Sequence, residues 1–256
     1  TLNAGEYKYI DLELTIDAEV YEGTVDTVTM VATSMYEGCE TDTEKVNTTV
    51  EQVGDVEVFK DAGQSGLPGD ELNFTFVVNN TGNGLDDYYL ELSSSEGFEV
   101  RMRVNDHGVD TGWSAGSVDD TVSSVDMDEN FTVWAYVRIG FSYAGTVDDV
   151  SFYAESVFDS GATDTETVEA TVLQVADVDL PGETGQSGKP GDVVTYHFTV
   201  ENTGNYEDSF ALSATSDNGW NVKIVVNLTT DTDSGWHTGT ATSNTGSVPW
   251  ATGTVM

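Results

Sequence analysis

Apolar and polar residues alternate with a period of two through most of this chain. Leu72, Phe74, Phe76 and Val78 stand against Asn73, Thr75, Val77 and Asn79, the pattern of a strand with one face in a core. Val194, Tyr196, Phe198 and Val200 repeat it. Similar runs predict strands over 56–59, 87–93, 98–104, 131–139, 146–156 and 164–175. Gly, Pro and Asn gather between them, as in Leu67-Pro68-Gly69-Asp70 and Asn80-Thr81-Gly82-Asn83, and predict turns. No segment sustains helical periodicity. About seven strands in ~120 residues indicate an all-β chain of tandem Ig-like seven-stranded β-sandwiches.

An internal repeat organises these strands. Residues 24–58 and 146–180 align without a gap at a spacing of 122, sharing TVD, TDTE and a V-x-Q-V-x-D-V ending. The segment from Gly63 to Asp70 returns as Gly185 to Asp192, and Asn80-Thr81-Gly82-Asn83 as Asn202-Thr203-Gly204-Asn205. Trp113 matches Trp236. A period this long means whole domains in tandem, since solenoid units are about 20–50 residues. The frame gives 1–54 as the C-terminal half of one repeat, 55–176 as a complete repeat, and 177–256 as the N-terminal half of the next. The joint Gln52-Val53-Gly54-Asp55-Val56 has no Gly/Ser or Pro-rich spacer, which predicts a semi-rigid rod.

Composition narrows the setting. Forty-six acidic residues face eight basic ones, a formal net charge of −38. Such a field repels nucleic acid and anionic lipid, and it calls for screening by salt or divalent cations. The shortage of Lys beside abundant Asp and Thr points to a high-salt, halophilic habitat, with bound Ca²⁺ or simply a solvated surface that resists aggregation as the competing readings. Cys39 is the single cysteine, so core size must hold each domain without a disulfide. The chain has no apolar run long enough to span a membrane. Its start at Thr1 and end at Met256 read as a processed or excerpted piece.

The pattern PGDxxxFxFxVxNTGN (Pro68 to Asn83, and with Tyr196 at the first aromatic position Pro190 to Asn205), a later aromatic (Phe98 or Trp220) and a closing TVDxVxxxAxS (Thr24 to Ser34, Thr146 to Ser156) carry a resemblance. They resemble the Ig-like module found beside secreted α-galactosidases and in archaeal surface and S-layer-type proteins. Residues 229–256 fit it poorly. The resemblance implies a β-sandwich in an extracellular multi-domain protein and supplies no catalytic residues.

Candidate chemistry is sparse. Sequons occur at Asn47, Asn73, Asn79, Asn130 and Asn227 and would make the protein a glycoprotein where they are exposed. Asp231-Thr232-Asp233-Ser234-Gly235 resembles the start of a Ca²⁺ loop, and Asp106 with Asp110 offers a second oxygen-rich pair. Asp119-Asp120 and Asp148-Asp149 read as solvated acidic faces. Trp134 and Tyr136 share one strand face and are the candidate sugar-binding aromatics, while Trp113 and Trp236 read as loop-packing residues. His107, His197 and His237 occupy non-equivalent repeat positions without ligand spacing. No nucleophile, base and orienting group assemble, so the expectation is no enzyme and no required cofactor.

These readings converge on an extracellular, cell-surface structural protein of filament or S-layer type. Its partners would be neighbouring copies, adjacent repeats or glycans. A sharper form has the split sandwiches completed head to tail. The alternative is an adhesin stalk or a carbohydrate-binding accessory module of a secreted enzyme.

Overall fold

The computed structural model describes residues 2–36, 40–226 and 232–250, which form strands and no helix among them. The first element is a lone antiparallel hairpin. In it β1 (Val25–Thr33) pairs with β2 (Thr41–Thr49), Val25 standing opposite Thr49.

A closed sandwich follows, built from β3 (Val56–Lys60), β4 (Gln64–Gly66), β5 (Glu71–Asn80), β6 (Asp86–Ser94), β7 (Glu99–Val104), β8 (Val109–Asp110), β9 (Ser114–Ala115), β10 (Ser117–Val125), β11 (Asn130–Arg138), β12 (Val147–Ser156) and β13 (Thr163–Val172). One sheet has the order β3-β5-β11-β7-β8, with β9 also pairing β7. The other has the order β10-β6-β12-β13-β4. The first strand of the domain therefore switches sheets, and β4 runs parallel to β13, an arrangement that closes an Ig-like sandwich.

The alternation read from sequence becomes the core. Phe74, Phe76, Leu90, Leu92 and Phe152 are fully buried, and the Phe76 and Phe152 rings stack at 4.8 Å across the two sheets. Within the closed domain the predicted strand positions are occupied, whereas the run from Val194 to Val200 forms no strand, having no paired neighbour along it, and β10 lies outside the runs read from sequence. Its inward residues Val118, Val122 and Val125 are buried, yet a register shift between Val122 and Val125 breaks their alternation. The intervening Ser, Asp and Thr residues hide the period.

The next half begins again with β14 (Val178–Asp179) and β15 (Glu201–Asn202), followed by β16 (Asp208–Thr215), β17 (Asn221–Val222), β18 (Val225–Val226), β19 (Thr232–Asp233), β20 (His237–Thr238) and β21 (Thr240–Val248). Its longest pairing, β16 with β21, matches β6 with β10.

Neither half is closed. Tyr196 and Phe198, at the positions of Phe74 and Phe76, are 44% and 59% exposed. Met30 and Val46, at the positions of buried Phe152 and Val168, are 40% and 56% exposed. Met30 and Val46 lie in a two-stranded sheet with no opposing sheet to bury its apolar face against, and Tyr196 and Phe198 lie in no strand.

Candidate functional site

The most elaborated local geometry lies where one repeat meets the next. The loop after β5 begins with Asn80, whose buried carboxamide donates to the carbonyls of Gly84 and Val125, both at 2.9 Å. Its Oδ1 accepts the Gly82 amide at 3.0 Å. These bonds fold the Asn-Thr-Gly-Asn loop back on the domain and press Gly82 against the connecting segment at Val53 and Asp55. A Cβ added at Gly82 would stand 2.5 Å from the Val53 carbonyl oxygen, so no larger residue fits without displacing the joint.

Asn83 then clasps the preceding half. Its Oδ1 accepts the Val53 N–H at 2.7 Å, and its Nδ2 donates to the carbonyls of Glu51 at 3.0 Å and Val20 at 3.3 Å. Its backbone N–H donates to Val53 O at 3.1 Å, and its carbonyl accepts from Glu22 N at 2.9 Å. One residue thus satisfies backbone groups from two separate segments of the preceding half, which otherwise need water. Beneath it the Tyr88 hydroxyl donates to Asp55 O at 3.0 Å. Burial, reinforced by the charges of Asp86 and Asp55, pushes that phenol well above its ordinary pKa, so it remains a donor.

The second joint repeats the first. Asn205, itself fully buried, accepts Val175 N–H at 2.7 Å and donates to Leu173 O and Ser142 O, both at 3.0 Å. Its N–H reaches Val175 O at 3.1 Å, and its carbonyl accepts Ala144 N at 3.0 Å. Asn202 reproduces Asn80, with bonds to Tyr206 O, Val248 O and Gly204 N. The joints differ in packing. Tyr206 stands where the first joint has Gly84, its ring 4.8 Å from Tyr143, and Trp250 lies 5.8 Å from Tyr143 and 6.1 Å from Phe141.

The two joints sit at opposite ends of the closed sandwich. Ile139 N donates to Asp70 O at 2.9 Å, placing the segment that follows Ile139 beside the start of β5. Asn80 ends the same ten-residue strand, about 30 Å away.

The other candidate residues are spread over the surface. Asn73 and Asn130 are exposed, and Asn79, half-buried, stands directly opposite Asn130. Asn47 is exposed, and its Oδ1 accepts the Thr27 hydroxyl at 2.9 Å. Asn227, Asp231 and Cys39 lie outside the described residues. Trp134 and Tyr136 share the outer face of the six-stranded sheet, Trp134 opposite Arg103 and Tyr136 opposite Arg101. Arg138 lies on the same face, its guanidinium carbon 4.2 Å from the Trp113 ring centroid. This one face therefore carries all three arginines of the chain.

The carboxylates of the candidate cation loops are engaged in ion pairs. Arg101 grips both carboxylate oxygens of Asp110 at 2.8 and 2.5 Å, and this hydrogen-bonding holds Asp110 down at about 2. Asp233 takes the Gly235 amide at 2.8 Å and Lys223 at 3.1 Å, which also lower its pKa. Both carboxylates serve a repeated hairpin ion pair. Asp106 is exposed in the adjoining turn, and among the described residues no three potential ligands gather around a cation position. Asp148 departs from its expected place on a solvated face. Far from being solvated, it is fully buried, accepting Ser94 Oγ at 2.9 Å, Ser95 Oγ at 3.1 Å and Glu96 N at 2.9 Å. Asp119 and Asp120 are exposed as read.

No protein family matches the chain, and no curated protein sequence does. Among solved structures it is similar to a family 123 glycoside hydrolase from Clostridium perfringens (11% identity, TM-score 0.32, 46% of this chain and 27% of that one). It is similar also to CaCohA2 from Clostridium acetobutylicum (12% identity, TM-score 0.31, 46% and 91%). A third is BcpA, the major pilin subunit of Bacillus cereus (10% identity, TM-score 0.36, 75% and 75%). The chain spans only about a quarter of the length of the glycoside hydrolase. Likenesses this slight carry no activity or partner to this chain.

Proposed function

We propose that this chain is a stretch of an extracellular structural protein, a semi-rigid rod of tandem sandwiches of the kind that builds a cell-surface layer or filament. The observation that carries the reading is the joint, which recurs bond for bond at Asn83 and Asn205. A flexible string of binding modules needs no such joint, whereas a rod that transmits load or sets a spacing does. The reading assigns the protein no catalytic role and no required cofactor. The surface carboxylates keep the rods hydrated and are screened by salt or by divalent cations.

Electron microscopy of purified native material tests the proposal. Straight beaded rods or filaments with a regular axial repeat support it, and flexible or single compact particles contradict it. Thermal unfolding in NaCl, CaCl₂ or EDTA separates the two modes of screening. Stabilisation by Ca²⁺ at matched ionic strength favours cation bridging, and equal melting excludes it.

A second reading, an adhesin stalk or carbohydrate-binding module, draws support from the outer face bearing Trp134, Tyr136 and the three arginines. Aromatic rings stack on sugars, and guanidinium groups favour acidic ones. Asn73 stands directly opposite Tyr136, so a glycan attached there would cover the same aromatics. Titration of Trp134→Ala against acidic oligosaccharides distinguishes this surface from a bare structural face.

A further inference from the structure

The two joints are alike in their bonds and unlike in the residue that follows the clasp. Asn83 precedes Gly84, whereas Asn205 precedes Tyr206. The difference follows from packing. A Cβ at buried Gly84 would meet the Glu22 side chain at 2.7 Å and that of Gln52 at 3.3 Å. Glu22 corresponds to Ala144, since each donates its N–H to the carbonyl of the clasping asparagine. With only a methyl group there, the second joint has room for the Tyr206 ring beside Tyr143. The first joint is therefore built on an Asn-Gly pair, one of two in the chain, the other being Asn218-Gly219 in an exposed turn.

An Asn-Gly pair carries its own nucleophile. The backbone nitrogen after an asparagine closes a five-membered ring when it bonds the carboxamide carbon, and glycine leaves that nitrogen unhindered by a side chain. We propose that Asn83-Gly84 is a self-modification site that opening of the first joint switches on. The Gly84 nitrogen loses its proton to hydroxide and attacks Asn83 Cγ. The new N–Cγ bond forms, the Cγ–Nδ2 bond breaks, Nδ2 leaves as ammonia, and a succinimide results. Water then opens the ring to aspartate or isoaspartate at position 83. The net reaction consumes one water, releases one ammonia and changes no oxidation state.

The closed joint holds back each step. Oδ1 of Asn83 is held by the Val53 N–H, and Nδ2, the leaving group, is held by the carbonyls of Glu51 and Val20. The carboxamide is thus not free to turn towards the nitrogen. Gly84 is buried, which keeps hydroxide from its N–H. Local opening removes all of these restraints together. The product does not re-form the clasp. A carboxylate has no N–H to give to Glu51 O and Val20 O and would set a negative charge against them, and isoaspartate also adds a methylene to the main chain. Opening of the first joint is therefore recorded permanently. The second joint, with a tyrosine behind its asparagine, opens and recloses unmarked. The inference rests on the rod reading, because a joint that is never closed has nothing to hold back.

Peptide mapping of the 256-residue chain after incubation in mildly alkaline buffer tests this, with aspartate and isoaspartate scored at positions 83, 205 and 218. In the folded chain Asn83 converts at least about tenfold more slowly than exposed Asn218, because its reaction waits for local opening, and Asn205 stays unconverted. In urea strong enough to unfold the chain, Asn83 and Asn218 convert at similar rates. Gly82→Ala, which loosens the first joint, speeds conversion of Asn83 at least about tenfold and leaves that of Asn218 unchanged. Should this variant not fold, sub-denaturing urea on the parent chain gives the same answer: conversion of Asn83 rises in step with hydrogen exchange of the Val53 amide. Equal conversion of Asn83 and Asn218 in the folded chain overturns the inference, and so does conversion of Asn83 that responds to neither Gly82→Ala nor urea. If the Val53 amide is protected from exchange when either result is found, the joint stands and only the self-modification fails. If that amide exchanges freely, the rod reading fails with it.

Discussion

Asn83 and Asn205 stand 122 residues apart and make the same five hydrogen bonds, each accepting from a valine N–H at 2.7 Å. Each residue ties the segment that follows the last strand of one repeat to the Asn-Thr-Gly-Asn loop of the next. Asn205→Ala removes an acceptor and two donations and leaves the Val175 N–H without its partner. The local cost is about 1–3 kcal/mol. It is expected to loosen the joint while leaving the melting of the closed sandwich within about 1 kcal/mol, because none of its core residues is touched. Small-angle scattering should show a broader distribution of interdomain distances for Asn83→Ala and Asn205→Ala than for the parent chain.

The glycines of the same loops are constrained by approach. A Cβ at Gly82 or Gly204 meets the carbonyl oxygen of Val53 or Val175 and crowds the amide of Asp55 or Asp177. Gly82→Ala and Gly204→Ala should each cost about 1–3 kcal/mol at the joint, read as faster exchange of the Asn83 or Asn205 amide. Gly69→Ala is a useful contrast. Nothing crowds its Cβ position, but its φ of +91° is strained for any L side chain, so it should destabilise the turn and spare the joints.

Asp148 and Asp149 are neighbours with opposite fates. Asp148→Ala strands the Ser94 and Ser95 hydroxyls and the Glu96 amide, and should destabilise the closed sandwich by about 2–4 kcal/mol. Asp149→Ala, on the exposed side, should stay within about 0.5 kcal/mol. Urea titration of the two variants checks the contrast.

The Arg101–Asp110 pair predicts a specific pH dependence. The folded pKa of Asp110 is lowered to about 2, against about 3.9 for an unfolded aspartate. A depressed carboxylate stabilises the fold above the unfolded value, and its contribution fades as pH falls through the folded one. The difference in urea midpoint between the parent chain and Asp110→Asn should be constant above about pH 5. It should shrink between about pH 4 and 2 and vanish below that, and 1 M salt should reduce it throughout because the pair is at the surface.

Much of this architecture is legible in the residues themselves. The alternation at Leu72–Val78 and Phe131–Val137 reveals the sandwich strands because burial on one sheet face demands a period of two, and the 122-residue spacing reveals the repeat. The Asn-Thr-Gly-Asn loop is legible as a turn. Its second asparagine is not legible as a clasp, because the groups it binds lie some 30 and 60 residues away and backbone amides have no sequence signature. β10 escapes because its bulge breaks the alternation. Asp148 reads as solvated because an acidic pair on a strand places one carboxylate inward, and only the fold shows which serines meet it. The pairing of Asp110 with Arg101 and of Asp233 with Lys223 is not legible, because spacing alone does not reveal the basic residue on the neighbouring strand.

A rod requires joints that are built structures, and hydrogen exchange at the Val53 and Val175 amides measures that directly. Both N–H groups are held by asparagine side chains at 2.7 Å. They should exchange at least 100-fold more slowly than an unstructured amide, and each should lose that protection on Asn83→Ala or Asn205→Ala respectively. Exchange at the unstructured rate in the parent chain would mean that the repeats are joined by free linkers and would contradict the rod.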